Sequence, residues 1–418
     1  MIKGIYELVS EEQLKKYAQL AVRAGVNVQK NQLVIIHSDI KNAPFVHLIQ
    51  KAAYGAGASN VVMDWTDEQS VKEFYLHAAD DAIDHIPDWE AARFNEWDDA
   101  GAAYIHIISE NLDVFKDVST ERMSRFQKAS RTKLKDHHAK IRSHKVRWCL
   151  LTVPSLQWAT KVFPDLRTEE ALHSLWQAIL QGARADGEKP IRDWTNHDRS
   201  FKSRKKFLNN NQFEALHFKN SLGTDLLIGM PENHCFIGGA VIDEEGIPFF
   251  PNIPTEEIFS APHKNEVNGK LVGTKPLIYE GSIIDNFYLI FKDGRITDHY
   301  AVKGQEVLQN LIETDEGLHY LGEIALVSNK SPLGQADTLF YNTLFDENTA
   351  CHIGIGNASP SNLQNGSNLS KKELKEAGLN TSILLVNVTF GSEDMEVTGI
   401  KKDGTEILLM QDGDFQIA

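Results

Sequence analysis

The chain has 418 residues, of which 42% are hydrophobic and 24% are charged, and its formal net charge at pH 7 is −15. A chain of this length exceeds what one hydrophobic core usually organises, so we expect two domains. The negative charge opposes general attraction to nucleic acid or anionic lipid, and we find no apolar run long enough to span a bilayer. These features predict a soluble globular protein with neither a nucleic-acid nor a membrane partner.

The N-terminal residues and the cysteines indicate a cellular location. Residues 1–7 lack the charged and apolar regions of a signal peptide. Cys149, Cys235 and Cys351 lie far apart and outside any Cys-x-x-Cys pair. This spacing argues against a disulfide framework and against a thiolate zinc site. We therefore predict a cytoplasmic protein with reduced thiols.

The first half of the chain alternates between helical and strand patterns. Ser10 and Gln13 form a capping box, and apolar residues at helical spacing follow as far as Gly25. A second helix is predicted between Asn42 and Gly57. Short apolar runs of the buried-strand type occur at residues 33–36, 61–63, 104–108 and 148–154. The pattern predicts an open α/β sheet, and the absence of Gly-x-Gly-x-x-Gly and Walker motifs argues against nucleotide binding.

A basic segment lies within this half. Ten lysines and arginines occur between Arg122 and Arg147. One interpretation is a surface that binds an anionic partner; the other, which we favour, is the solvated face of a helix.

The second half of the chain has a different sequence pattern. A helical segment at residues 168–208 is followed, from about residue 213, by short alternating strands at residues 223–229, 277–281 and 287–291. Asp-Gly turns occur at Asp293, Asp403 and Asp412. We predict an α/β and α+β protein with an N-terminal open α/β sheet domain at residues 1–212. A mainly antiparallel-sheet domain at residues 213–418 would carry the functional site.

Residues 340–352 have the composition of a metal site. Glu347 and His352 are five residues apart, and Glu323 lies 29 residues before His352, all among apolar residues and turn formers. Oxygen and nitrogen ligands of this kind suit zinc, cobalt or manganese better than calcium. The alternative is that the Asp-Glu-Asn run at residues 346–348 is a solvated turn.

Residues 252–259 are the second informative stretch. Glu256 and Glu257 follow Pro254 in an apolar setting that charges normally avoid. The competing interpretation is a helix start, with Thr255 as the cap and both carboxylates in the first turn.

The chain resembles the thermophilic-type metallo-aminopeptidase family, the group that contains aminopeptidase T, aminopeptidase S and PepS. The resemblance rests on residues 17–29, 252–259, 315–323, 331–333 and 340–352. It extends from near residue 14 to near the C-terminus. It implies a homodimeric exopeptidase that removes N-terminal residues from peptides, with two neighbouring divalent ions in the C-terminal domain.

The resemblance implies metal ligands at Glu257, Glu323, Glu347 and His352, with Glu323 shared by both ions. The chain departs from the family pattern at Leu385 and Asn387, where a histidine and an aspartate are expected, and near Ser359, where a tyrosine is expected. Leucine cannot coordinate a metal, and an asparagine carbonyl is a weaker ligand than a carboxylate. We therefore predict one full site made of Glu323, Glu347 and His352. A second, weak site would be made of Glu257, a share of Glu323 and Asn387.

The leading hypothesis is a metal-dependent aminopeptidase that holds one or two zinc, cobalt or manganese ions. Metal-activated water would attack the first peptide carbonyl, with Glu256 or Glu257 carrying the proton. A further carboxylate would pair with the ammonium group of the peptide. The alternative is a catalytically impaired or silent homologue that binds peptides, because of Leu385 and Asn387. A rearranged metal site that includes His234, His263 or His319 is also open.

Overall fold

The computed structural model describes residues 4–109, 111, 113–279 and 282–417. The chain forms two compact units, one made of Met1–Thr195 and Ala240–Pro254 and the other of Asn196–Gly239 and Thr255–Ala418. The first is α/β with a parallel sheet, and the second is built from antiparallel sheets, which confirms the predicted fold class. The predicted division into functional domains at residue 212 stays a prediction.

The first unit contains a four-stranded parallel sheet in the order β2-β1-β3-β4. One of its two inner strands carries Val34, Ile35 and Ile36, which are fully buried, as expected for a sheet covered on both faces. The predicted strand positions all fall in this sheet. The strands of this unit are β1 (Leu33–Asp39), β2 (Asn60–Thr66), β3 (Ala103–Ile108), β4 (Trp148–Thr152) and a hairpin of β7 (Val241–Ile242) and β8 (Pro248–Phe249).

Helices separate these strands along the chain. They are α1 (Glu11–Leu20), α2 (Ala43–Ala56), α3 (Glu68–His77), α4 (Asp80–Asp84), α5 (Asp88–Asp99), α6 (Thr120–Lys133), α7 (Lys135–Arg142), α8 (Leu156–Val162), α9 (Thr168–Gly182) and α10 (Pro190–Asn211), the last of which continues into the second unit. The predicted capping box is confirmed, because the Ser10 hydroxyl accepts a hydrogen bond from the Gln13 amide. The helical segment predicted at residues 168–208 is two helices, and Pro190 begins the second because proline fits a first helical turn.

The basic segment at residues 122–147 is paired with acids on neighbouring elements. Four of its guanidinium and ammonium groups lie 2.6 to 3.0 Å from a carboxylate, in the pairs Arg122–Asp80, Arg125–Asp84, Lys140–Asp99 and Arg147–Asp243. These pairs neutralise much of its charge locally. The observation supports the helix-face interpretation over an anion-binding surface.

The second unit contains two antiparallel sheets. The larger has nine strands in the order β11-β12-β10-β6-β5-β17-β18-β19, with β13 paired to β12. Its strands are β5 (Ala215–Lys219), β6 (Asp225–Gly229), β10 (Val267–Val272), β11 (Leu277–Tyr279), β12 (Ser282–Lys292), β13 (Arg295–Lys303), β17 (Glu396–Ile400), β18 (Glu406–Gln411) and β19 (Asp414–Phe415). Of the strand predicted at residues 277–281, Glu280 and Gly281 lie outside the described residues.

The smaller sheet has four strands in the order β16-β15-β14-β9. These are β9 (Ile258–Ser260), β14 (Leu321–Leu326), β15 (His352–Gly356) and β16 (Leu385–Thr389), and the helices of this unit besides α10 are α11 (Gln305–Glu313), α12 (Thr343–Asp346) and α13 (Lys371–Glu376). The hairpin predicted at Asp293-Gly294 is confirmed, since both residues have the positive φ of a tight turn, 49° and 82°. Within the described part of the chain, no helix has the length and apolarity required to cross a membrane.

Candidate metal centre

The four-stranded sheet of the second unit brings together carboxylate and imidazole side chains that are far apart in the chain. Glu323 lies on β14, His352 begins β15, and Glu257 immediately precedes β9. Because successive side chains of a strand point to opposite faces, register decides which of them meet. Gly354 on β15 pairs with Glu323 on one side and with Asn387 of β16 on the other. His352, two residues before Gly354, therefore shares the face that carries Glu323.

Three donors converge on this face. Nε2 of His352 lies 3.3 Å from Oε2 of Glu257 and 3.7 Å from Oε1 of Glu323. One donor atom from each residue lies within 4.8 Å of the other two, the one such group of three or more among the described residues. The structure thus groups Glu257, rather than Glu347, with Glu323 and His352, because the loop before β9 brings Glu257 to the imidazole; the predicted ligand set stays a prediction.

The imidazole of His352 is oriented as a metal ligand would be. It is fully buried, and its Nδ1 lies 3.3 Å from the carbonyl oxygen of Ala350, to which an Nδ1–H can donate. This leaves Nε2, which is buried without a hydrogen-bond partner, facing the two carboxylates. Histidines that bind metals usually donate their other ring N–H to a carbonyl or carboxylate in this way.

The spacing of the donors fits a divalent ion. Two ligands that each lie about 2.1 Å from a tetrahedral ion are about 3.4 Å apart. The separations at His352 bracket that value. Three protein donors also leave a position open, as catalytic sites of this kind do. The residues present therefore fit a zinc, manganese or cobalt ion.

Glu347 lies beside this group and not inside it. It follows α12, and its Oε2 accepts a hydrogen bond of 3.1 Å from Nδ2 of Asn387. The Asp-Glu-Asn run that contains it is not a solvated turn, since Asn348 is 1% exposed and the backbone amides of Phe340 and Asn342 donate to the Asp346 carboxylate.

The electrostatics of the group reflect an excess of acids. Burial, reinforced by the negative charge of Glu257, raises the pKa of Glu347 to about 8, and burial also raises the pKa of Glu323. Burial opposes protonation of His352, but the facing carboxylates of Glu257 and Glu323 prevail and raise its pKa to about 10. A cation bound here would favour ionised carboxylates and a neutral imidazole, which reverses all three directions.

Residues 255–257 are not helical and lead directly into β9, so the helix-start interpretation is wrong. Glu257 faces His352, whereas Oε2 of the buried Glu256 lies 3.8 Å from Nε2 of His197 on α10. Nε2 of His197 is also 2.7 Å from the carbonyl oxygen of Thr255. The two carboxylates therefore have different surroundings, and only Glu257 belongs to the group of three.

Asn348 is a connection that sequence reasoning missed. Its Oδ1 accepts a hydrogen bond of 2.5 Å from the Glu256 amide, and its Nδ2 donates to the carbonyl oxygen of Leu344 at 2.8 Å. One buried side chain thus ties the loop that carries Glu257 to the segment that carries Glu347. The available signal was its position in the Asp-Glu-Asn run, which we interpreted only through its carboxylates.

The histidines considered for a rearranged site lie elsewhere. Nδ1 of His234 is 2.9 Å from the carbonyl oxygen of Pro231, and Nδ1 of His263 is 3.3 Å from Glu266. Neither these two nor His319 belongs to the group at His352.

The fold and this group of donors define a protein of mixed α/β architecture with the ligand set of a divalent-metal centre in its antiparallel unit. Comparison with known proteins identifies it further. The chain belongs to the thermophilic metalloprotease family M29, whose model matches residues 10–415.

Named relatives of this chain are metallo-aminopeptidases of that family. Aminopeptidase AmpS of Bacillus subtilis is 43% identical over 97% of this chain and 98% of its own length. Aminopeptidase 2 of Geobacillus stearothermophilus is 40% identical over the same shares of the two chains. The solved structure of wild-type AmpT from Thermus thermophilus superposes with a TM-score of 0.89 at 35% identity, covering 97% of this chain and all of that one. The predicted family is confirmed.

Proposed function

We propose that this chain is a metal-dependent aminopeptidase that releases N-terminal residues from peptides. The observation that carries the proposal is the buried group of Glu257, Glu323 and His352, with the unpaired Nε2 facing two carboxylates. Membership of M29 and the aminopeptidase relatives support the reaction class.

The three grouped residues would hold the ion, and Glu347 lies at the edge of the group. When bound, a divalent ion of this kind polarises a peptide carbonyl and lowers the pKa of an attacking water. The chain supplies the orientation. The Ala350 carbonyl sets the ring of His352, and Asn348 holds the loop of Glu257 against the segment of Glu347.

Proton transfer falls to the carboxylates predicted for it, Glu256 and Glu257. Glu257 faces the imidazole and serves as a ligand, which leaves Glu256 for the proton. A proton carried on Oε2 of Glu256 has the ring of His197 at 3.8 Å as its neighbour. Glu256 is 7% exposed, so bulk water competes little for that proton.

Selectivity for N-termini follows from the excess of carboxylates. The ammonium group of a peptide is attracted by a buried acidic site, and Glu347 at the edge of the group is the carboxylate that we assign to it. An N-acetylated peptide lacks this charge and is expected to be a poor substrate. The cytoplasmic location, the homodimer and the choice among zinc, cobalt and manganese stay predictions.

The test is hydrolysis of aminoacyl chromogenic substrates after chelation and stepwise return of zinc, cobalt or manganese. Turnover is expected to vanish with chelator, to return with metal and to fall by more than about 100-fold in Glu323→Gln, because replacing a direct ligand should exceed the effect of removing a partner of a ligand. The matched control is Glu306→Gln, which makes the same change at an exposed position on α11. Folded protein without turnover under every metal would reject the enzyme and leave a peptide-binding homologue.

A further inference from the structure

We propose that each copy of this chain holds one divalent ion, at Glu257, Glu323 and His352, and that Asn387 and Leu385 exclude a second ion beside Glu347. The inference rests on the metal site of the proposed function and concerns how many ions that site takes.

The first step is the space above Gly354, which is bounded by side chains of the two neighbouring strands. Glu323, Gly354 and Asn387 form a row across three strands, and the central member has no side chain. A Cβ built at Gly354 would lie 2.9 Å from Cβ of Glu323, 3.1 Å from Oδ1 of Asn387 and 2.5 Å from Cδ1 of Leu385. The side chains of Leu385 and Asn387 therefore border the space above the glycine, next to Glu323. A second ion that shares the Glu323 carboxylate on this side would have these two side chains as neighbours.

The second step is the hydrogen bond between Asn387 and Glu347. The amide Nδ2 donates to Oε2 of Glu347 at 3.1 Å. An amide nitrogen only donates hydrogen bonds, so Asn387 presents an N–H group to this oxygen. That N–H group satisfies, without a metal, one of the oxygens that a second ion would need.

The third step is the donor count at the second position. Leu385 provides methyl groups and no lone pair. Oδ1 of Asn387 is a neutral carbonyl that is buried without a hydrogen-bond partner. A second ion would be left with Glu347, a share of Glu323 and this neutral carbonyl, a weaker donor set than an imidazole with two carboxylates. The first position keeps its imidazole and both carboxylates.

The experiment measures metal content by native mass spectrometry and inductively coupled plasma analysis, and the Mn²⁺ electron paramagnetic resonance spectrum, on the intact protein. We expect one ion per chain and a spectrum without manganese–manganese coupling. Asn387→Asp with Leu385→His is expected to bind two ions per chain and to show coupled manganese. Asn387→Asp alone, which preserves the shape of the side chain, is expected to bind a second ion at high manganese concentration. Circular dichroism establishes that each variant is folded.

The matched control is Leu408→His, on a strand of the other sheet and with nearly the same exposure, 39% against 41% for Leu385. It is expected to keep one ion. Two tightly bound ions in the unchanged protein would overturn this inference and leave the proposed function standing. No bound ion in folded protein would instead reject the metal site on which both depend. A double variant that still binds one ion would overturn the role of Leu385 and Asn387.

Discussion

Among the residues that the structure describes, each unit contains a cluster of histidines and carboxylates, and the charge balance of the two clusters differs. In the first unit, Nδ1 of His37 lies 2.8 Å from Asp64, and Nδ1 of His137 lies 3.0 Å from Asp98. Both carboxylates have another donor, from Arg93 at 2.8 Å and from the Tyr104 hydroxyl at 2.6 Å respectively. Each acid is thus matched by donors within the protein.

In the second unit, Glu257, Glu323 and Glu347 gather near one imidazole, whose Nε2 has no hydrogen bond. Both clusters combine imidazoles with carboxylates. What distinguishes them is that each carboxylate of the first has two side-chain donors of its own, whereas the three carboxylates of the second share one imidazole and need a cation to compensate their charge. Balance of donors, more than composition, identifies the candidate site.

The largest expected effect is on metal affinity, and it distinguishes His352 of the second cluster from His137 of the first. His352→Asn removes the Nε2 donor from the group of three and is expected to lower metal affinity by more than about 100-fold, beyond what the loss of a supporting residue costs. His137→Asn makes the same change in the first cluster and is expected to leave metal affinity unchanged. Isothermal titration with Mn²⁺ measures both. Equal losses in the two variants would contradict the comparison.

The next prediction tests whether Asn348 supports the metal centre specifically. Asn348→Ala removes both hydrogen bonds that join the Glu256 loop to the Leu344 carbonyl, so metal affinity is expected to fall by about 10- to 100-fold. Asn209→Ala is its control, because Asn209 also bonds backbone through both side-chain atoms, at Phe236. Each variant is expected to lose roughly 1–3 kcal/mol of stability. Only Asn348→Ala should weaken metal binding, and a similar loss in Asn209→Ala would make the effect merely structural.

A smaller effect concerns Gly354, which lies beside Glu323 in the second cluster. Gly354→Ala forces a Cβ against Leu385 and Glu323, and such overpacking costs roughly 1–3 kcal/mol. Gly55→Ala on α2 meets no atom within 4 Å and is expected to stabilise by roughly 0.5–1 kcal/mol, since alanine favours helix. Urea denaturation measures both free energies of unfolding. An unchanged Gly354→Ala protein would show that the space is not tightly bounded.

The last expected effect is a pH dependence of stability in the first cluster. His106 stacks on His37 with ring centroids 4.7 Å apart, and burial, helped by the charges of His37 and His137 and opposed by Asp64, lowers its pKa to about 3. A histidine with a lowered folded pKa binds protons better when unfolded. Stability is therefore present above pH 6.5 and lost as pH falls from there to about 3, by up to about 1.4 kcal/mol per pH unit. His106→Asn should flatten this slope in unfolding followed by circular dichroism, and an unchanged slope would assign it to other groups.

Much of the secondary structure could be predicted from the sequence, because its apolar runs and its turn residues are easily recognised. The buried strand that begins at Leu33 and the turn at Asp293 follow from local composition alone. The stretches that carry Glu257, Glu323 and His352 were also found, because charges among apolar residues stand out. Which of the predicted ligands lie nearest to one another could not be derived from the sequence, since the order of the strands decides which stretches become neighbours. The bond from Asn348 to the Glu256 amide was missed for the same reason.

Leu385 and Asn387 both lie on β16, at the end of the four-stranded sheet. A substitution on an end strand disturbs one neighbouring strand of its sheet, whereas a substitution on β14 or β15 disturbs two. We therefore expect exchanges of histidine and leucine, or of aspartate and asparagine, at these two positions to cost the fold little. Glu323 and His352 lie on the inner strands, whereas the side chains that we propose to set the metal content lie on an edge strand, so the metal content of this centre can change without rebuilding the sheet that holds it.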